Sequence, residues 1–186
     1  MIEVEKKVEV DEKLDKLLTQ SRFISEEFIE DIYYDYDDYT LTLQNIWLRK
    51  RNGILELKVG RSSRKGGKVD RYLELEGEEA ILKHLGKQSL EGIKPFGKFE
   101  THRKVYNHGA FKIMVDESFL EESCYRLAEI ELLVEEGKEK WAEEEIESLL
   151  KEFSISIQKI VPAKVAIYLQ KKNPFHYEAL VRAGVF

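Results

Sequence analysis

The sequence predicts an α+β fold with a barrel-like plan: about eight antiparallel strands, then helices at the periphery. Three observations carry this expectation. Alternation with a period of two dominates the earlier part of the chain. Turn pairs such as Asn52-Gly53 separate the alternating runs. From Lys138 onward the apolar side chains recur at helical spacing instead.

Taken in order, IEVEKKVEV from Ile2 is read as a strand, and Asp11 is an N-cap candidate for DEKLDKLLTQ, where Leu14, Leu17 and Leu18 share a helical face. FISEEFIEDIYYDYDD, from Phe23, is a long strand rich in Ile, Phe and Tyr. NIWLRKRNGILELKVG is a hairpin whose two arms flank Asn52-Gly53, a favoured type I′ pair. RSSRKGGK, from Arg61 to Lys68, is a polar loop. It has the composition of a phosphate loop but not the GxxxxGK[ST] pattern, since Val69 follows Lys68. It reads as a basic hairpin loop that steers anions or, more simply, as a solvated turn. VDRYLELEG returns as a strand, and GEEAILKHLGK is a short helix ending near Gly86. KFETHRKVYNHGAFKIMVD, with a turn at Asn107-His108-Gly109, and SCYRLAEIELLVEEG add the last strands. KEKWAEEEIESLLKEF spaces Trp141, Ile146, Leu149 and Leu150 as a helix, with Trp141 an anchored aromatic on an otherwise solvated acidic face. Pro162 and Asn173-Pro174 punctuate two further helices, near 163–172 and 174–183.

At 186 residues the chain fits one domain, and 42% hydrophobic residues with only 3 Pro indicate a globular protein. No apolar run approaches the roughly 18 residues of a membrane span, and the N-terminal segment has no cleavage pattern, so a soluble, cytoplasmic protein is expected. The single cysteine, Cys124, forms no internal disulfide and is expected to be a half-buried filler rather than a nucleophile. The four histidines show no metal-ligand spacing. A formal net charge of -6 argues against a nucleic-acid surface, which needs a positive field, but is compatible with a local basic pocket.

The charges themselves are patterned. An alternating strand usually turns its charged side to water, which is the default reading of any one segment. Repetition strains it: Glu3, Glu5, Lys7; Arg49, Arg51; Glu56, Lys58; Tyr72, Glu74; Thr101, Arg103; Lys112, Asp116; and Glu129, Glu131 each share parity, with mostly apolar residues at the opposite parity. If the strands close with this parity inward, the lumen holds basic and acidic residues together and needs water, ions or a charged ligand, because isolated buried charges are very costly. Arginine grips phosphate oxygens bidentately, and carboxylates hold Mg²⁺. Spacing alone leaves a sheet with a polar outer face equally open.

Glu3-x-Glu5-x-Lys7, YYDY from Tyr33, WLRKR from Trp47, ELK from Glu56, THRKVY from Thr101, Val115-Asp116, AEIELLVE from Ala128 and PAKVAIYLQKKNP from Pro162 follow one another over nearly the whole chain. In this order they resemble the CYTH superfamily, the triphosphate tunnel metalloenzymes. IEVEKK, NIWLRKR and PAKVAIYLQ with NPFHYEAL are most similar to the thiamine triphosphatases of that superfamily. The resemblance implies an eight-stranded antiparallel β-barrel enclosing a tunnel. Residues 1–186 would form a single domain, with the helices of 139–186 packing on or closing the barrel. It implies phosphate ligands at Lys7, Arg49, Arg51, Lys58, Arg103 and Lys164, with Lys164 plugging the tunnel from a helix start. Asp116, Glu129 and Glu131 would be the principal Mg²⁺ carboxylates, with Mn²⁺ as a substitute. Glu3 and Glu5 would face water and a possible second metal, and Glu3, Glu5 and Glu131 would carry the catalysis.

The expected reaction is Mg²⁺-dependent hydrolysis of thiamine triphosphate to the diphosphate and phosphate by a monomer, with no covalent nucleophile. Trp47 shares parity with Arg49 and Arg51 and is either a stacking platform for the thiamine rings at the tunnel mouth or a core tryptophan. The alternatives are an inorganic triphosphatase, an adenylyl cyclase or other triphosphate-processing member of the superfamily, and a phosphate-binding module without turnover.

Overall fold

In a computed structural model, which describes residues 1–61, 69–120 and 123–186, the alternating segments close on themselves. Among the described residues, the strands are β1 (Ile2–Val8), β2 (Arg22–Asp35), β3 (Ile46–Arg51), β4 (Ile54–Gly60), β5 (Asp70–Glu76), β6 (Lys94–His108), β7 (Phe111–Leu120) and β8 (Ser123–Val134). They form a closed barrel in the order β1-β5-β4-β3-β2-β6-β7-β8. Every neighbouring pair is antiparallel. The turn between β3 and β4 has Asn52 at φ 48 and Gly53 at φ 85, the two left-handed residues of a type I′ hairpin. β2 stops at Asp35 because its carboxylate turns back to accept from the backbone of Tyr36, Leu41 and Thr42. The basic loop expected at RSSRKGGK falls almost wholly on 62–68, outside the described residues.

Closure puts one parity of each strand inside; helices cover the other parity on part of the barrel, while outward side chains of β2 such as Phe28 stay exposed. Helix α1 (Glu12–Thr19) starts where Asp11 Oδ1 accepts from the N–H groups of Lys13 and Leu14 at 3.0 and 3.1 Å. Helix α3 (Glu139–Glu152) buries Ala142, Ile146, Leu149 and Leu150. Together α1 and α3 cover Ile2, Val4, Val8, Ile113, Ile130 and Leu132 on the outer side of the barrel. Helix α2 (Glu78–Leu85) brings Ile81 onto Leu48 and Leu57 of β3 and β4. Much of the apolar core therefore lies between barrel and helices, which frees the interior for charge.

Helices α4 (Lys164–Lys172) and α5 (Pro174–Ala183) pack differently. Val165, Leu169 and Leu180 lie against Tyr33, Trp47, Phe99 and Leu120, so these helices cover inward-parity side chains. Two expectations are corrected. Trp141 is 49% exposed rather than anchored, because the buried stripe of α3 runs through Ala142, Ile146, Leu149 and Leu150 and leaves residue 141 beside it. Cys124 is exposed, not half-buried, since it sits on the outward parity of β8.

Candidate active site

Cross-strand pairing explains how so many charges share the interior. Directly opposed residues have neighbouring Cβ atoms, and the register sets Arg49 against Glu56, Lys58 against Glu74, Arg103 against Asp116, Lys7 against Glu129 and Asp31 against Arg51. The side chains join accordingly. Arg49 Nη2 lies 2.7 Å from Glu56, and Lys58 Nζ reaches Glu3 at 2.7 Å and Glu74 at 3.0 Å. Arg103 grips Asp116 with two bonds of 2.6 and 2.7 Å and comes within 3.4 Å of Glu129. Lys7 pairs with Glu5 and, at 2.9 Å, with Asp70. Apart from the shielded Asp31, these groups line one cavity of about 1510 Å³.

Glu131 stands opposite Glu5 in the β1–β8 register, and Lys112 reaches it at 3.0 Å from the half-exposed rim. Carboxylate oxygens of Glu3, Glu5 and Glu131 all lie within 4.8 Å of one another. Burial, with Glu5 alongside, pushes the Glu3 carboxyl up to about 10 despite Lys58. Burial opposes ionisation of Glu5 too, yet Lys7 and Lys58 outweigh it and hold that carboxyl well below the usual range. Burial raises Glu131 as well. Three carboxylates so close do not ionise together unless positive charge enters among them, and oxygen donors at this spacing fit a hard divalent cation. The geometry thus groups Glu131 with Glu3 and Glu5, while Asp116 and Glu129 face Arg103.

A second network runs beneath these pairs. The Asp31 carboxylate is fully buried and accepts from Arg51 Nε and Nη2 at 2.8 and 2.9 Å and from Lys164 Nζ at 2.7 Å, with Arg49 Nε 3.8 Å away. Lys164 also donates to Thr101 Oγ1 at 3.0 Å, which meets Ser118 Oγ at 3.1 Å. Burial alone would raise Asp31, but the bond from Arg51 and the charges of Lys164 and Arg49 hold it far below its ordinary value. The first turn of α4 is thereby tied to the barrel interior.

Trp47 lies on the cavity wall, 7% exposed. Its Nε1 donates to Asn45 Oδ1 at 2.8 Å. Asn45 reaches it by lying across Gly60, where a Cβ would fall 1.9 Å from Asn45 Nδ2. The indole meets Tyr33 edge-on and Phe186 in a stack.

A charged lumen enclosed by a closed antiparallel barrel invites comparison with known proteins. The family model described as "CYTH domain" matches residues 1–161. This chain belongs to the CYTH domain family. Curated relatives include the thiamine-triphosphatase of Macaca fascicularis, 29% identical over 177 residues, with 83% of this chain and 77% of the relative covered. The thiamine-triphosphatase of Homo sapiens is 28% identical at the same coverage. Among solved structures, the PH1819 protein of Pyrococcus horikoshii OT3 superposes with a TM-score of 0.67 at 26% identity, covering 91% of this chain and 99% of its own. A Hippeastrum protein described as an adenylyl cyclase with a dominant triphosphatase activity superposes at 0.64 with 17% identity, covering 92% and 96%, a likeness of fold alone.

Within this CYTH chain, Lys7, Trp47, Arg49, Arg51, Lys58, Arg103, Asp116, Glu129, Glu131, Glu3, Glu5 and Lys164 all line the same cavity. Sequence reasoning missed Asp31, whose parity with Tyr33 was the available signal. It also missed Phe186, for which no local pattern exists.

Proposed function

We propose that this protein is a divalent-metal-dependent triphosphatase acting on thiamine triphosphate. The observation that carries the reading is the single lumen lined by Lys7, Arg49, Arg51, Lys58, Arg103 and Lys164 together with the Glu3–Glu5–Glu131 trio. The names of the curated relatives support thiamine triphosphate as the organic substrate.

The cations bind the polyphosphate chain: Arg49, Arg51 and Arg103 as planar forks, Lys7, Lys58 and Lys164 as point charges. Each is already held by a carboxylate, so little reorganisation accompanies binding. Glu3, Glu5 and Glu131 would hold Mg²⁺ or Mn²⁺, which supplies Lewis-acid charge at the phosphoryl oxygens. Asp116 and Glu129 fix the Arg103 guanidinium and would add carboxylates to the metal's surroundings. Glu3 and Glu5 orient the attacking water, Glu3 having the higher proton affinity of the two. Lys164 closes the lumen over the phosphates from the start of α4.

One observation favours a second reading, an inorganic triphosphatase: the Trp47 face that would receive an organic ring is covered by Phe186. The deciding experiment is phosphate release at matched thiamine triphosphate, inorganic triphosphate and ATP, with Mg²⁺ and then with chelator. Chelator-sensitive preference for thiamine triphosphate is the expected result. Preference for inorganic triphosphate moves the assignment to the second reading, and release that ignores chelator removes the metal from the mechanism.

A further inference from the structure

Phe186 stacks on the Trp47 indole with ring centroids 5.8 Å apart and planes at 22°. It is 37% exposed and lines the charged cavity beside Tyr177, whose ring centroid is also 5.8 Å from it. The chain is directed there by the end of α5: Gly184 takes φ 76, and Val185 N–H donates to Leu180 C=O at 3.0 Å, the wide hydrogen bond of a Schellman close. The last two residues of this sequence thus fold back over the lumen.

We propose that Phe186 is a specificity-determining residue for the non-phosphate end of the substrate. It occupies the Trp47 face against which a nucleobase or heterocycle would stack, so ring-bearing triphosphates bind by turning it aside, whereas inorganic triphosphate leaves it in place. This rests on the lumen being the triphosphate site.

The geometry leaves no other course for a ring at that face. A ring between two others needs centroid spacings of at least about 4.5 Å on each side, roughly 9 Å in all, and the observed separation is 5.8 Å. Turning Phe186 aside breaks its contacts with Trp47 and Tyr177, and residues 184–186 belong to no strand, so no sheet pairing among the described residues is undone. The exchange also discriminates between rings. A cationic heterocycle gains more from the indole face than a neutral phenyl loses, and a neutral base gains less than the cation does.

The test is calorimetric binding, in chelator to hold off turnover, of thiamine triphosphate, ATP and inorganic triphosphate to wild type, Phe186→Ala and Phe186→Leu. Expected for Phe186→Ala is roughly 3- to 10-fold tighter binding of thiamine triphosphate and ATP, the size of one aromatic contact, with inorganic triphosphate changed less than about twofold. Phe186→Leu keeps apolar bulk without the stack and should move in the same direction; it carries the test if the alanine variant folds poorly. Equal changes for all three ligands, weaker binding of the two ring-bearing ones, or no binding of either before and after substitution overturns the proposal. A wild type that fails to bind inorganic triphosphate defeats the lumen reading separately, and the wild-type-to-variant ratio for the ring-bearing ligands still decides Phe186.

Discussion

Asp31 is the residue on which three proposed substrate cations depend. Its carboxylate receives Arg51 and Lys164 directly, with Arg49 close by, inside a site from which it is fully shielded. Removing one partner of a buried ion pair leaves the other charges uncompensated, at a cost of about 3–5 kcal/mol, so Asp31→Asn should lower stability by that order in urea unfolding at neutral pH. The pH dependence has a definite sign. Because the folded carboxyl is depressed, its stabilisation is fully present above the ordinary value of 3.8 and is lost as pH falls below it toward the folded value. Wild type and Asp31→Asn should therefore converge in melting temperature as pH drops below that value; a constant gap would defeat the account. Glu131→Gln tests the trio instead: turnover should drop at least about 100-fold with the barrel intact by circular dichroism, and full metal-dependent activity would defeat its role. Glu131 was legible in the sequence because its parity with Glu129 repeats the pattern of Glu3 and Glu5. Asp31 was not, because FISEEFIEDIYYD reads as an ordinary strand until β3 supplies Arg51 opposite it.

At the scale of elements, local rules sufficed where the determinant is local. The Asp11 cap, the Asn52-Gly53 turn and the Gly86 helix end at φ 63 are each set within a few residues, and each is where the pattern puts it. Asp11→Ala removes two acceptor contacts from the start of α1 and should cost about 1 kcal/mol, read as a shifted denaturant midpoint at unchanged slope. No change would mean the helix is held by Leu14 and Leu17 alone. Trp141 went the other way. Helical spacing identifies a helix but not which residues near the stripe meet a neighbour, and the orientation of α3 against β1 and β8 leaves that indole outside.

At the scale of the molecule, a net charge of -6 conceals a lumen in which cations and carboxylates alternate. A ligand that binds only the native state stabilises it, by about 2.7 kcal/mol at 100 times its dissociation constant. For a chain of this size that corresponds to roughly 5–11 °C in melting temperature. Mg²⁺ at saturating concentration should give a rise of this order, reversed by chelator and abolished in Glu131→Gln; an equal rise in both proteins would place the ion elsewhere. Among the described residues, no helix is long and apolar enough to cross a membrane.

The sequence by itself determined the strands, their parity and the residues able to face a lumen, because side-chain alternation is a local property of the extended backbone. Only the tertiary structure decided that the charged parity turns inward, since that choice depends on α1 and α3 covering the opposite faces of β1 and β8. It also decided the company each charge keeps. Register brought Glu131 to Glu5 and Arg103 to Asp116, and the fold of α4 and α5 carried Lys164 to Asp31 and Phe186 to Trp47. The contacts of Glu131, Lys164 and Phe186 join residues more than a hundred positions apart, and no periodicity within a segment encodes a partner at that distance.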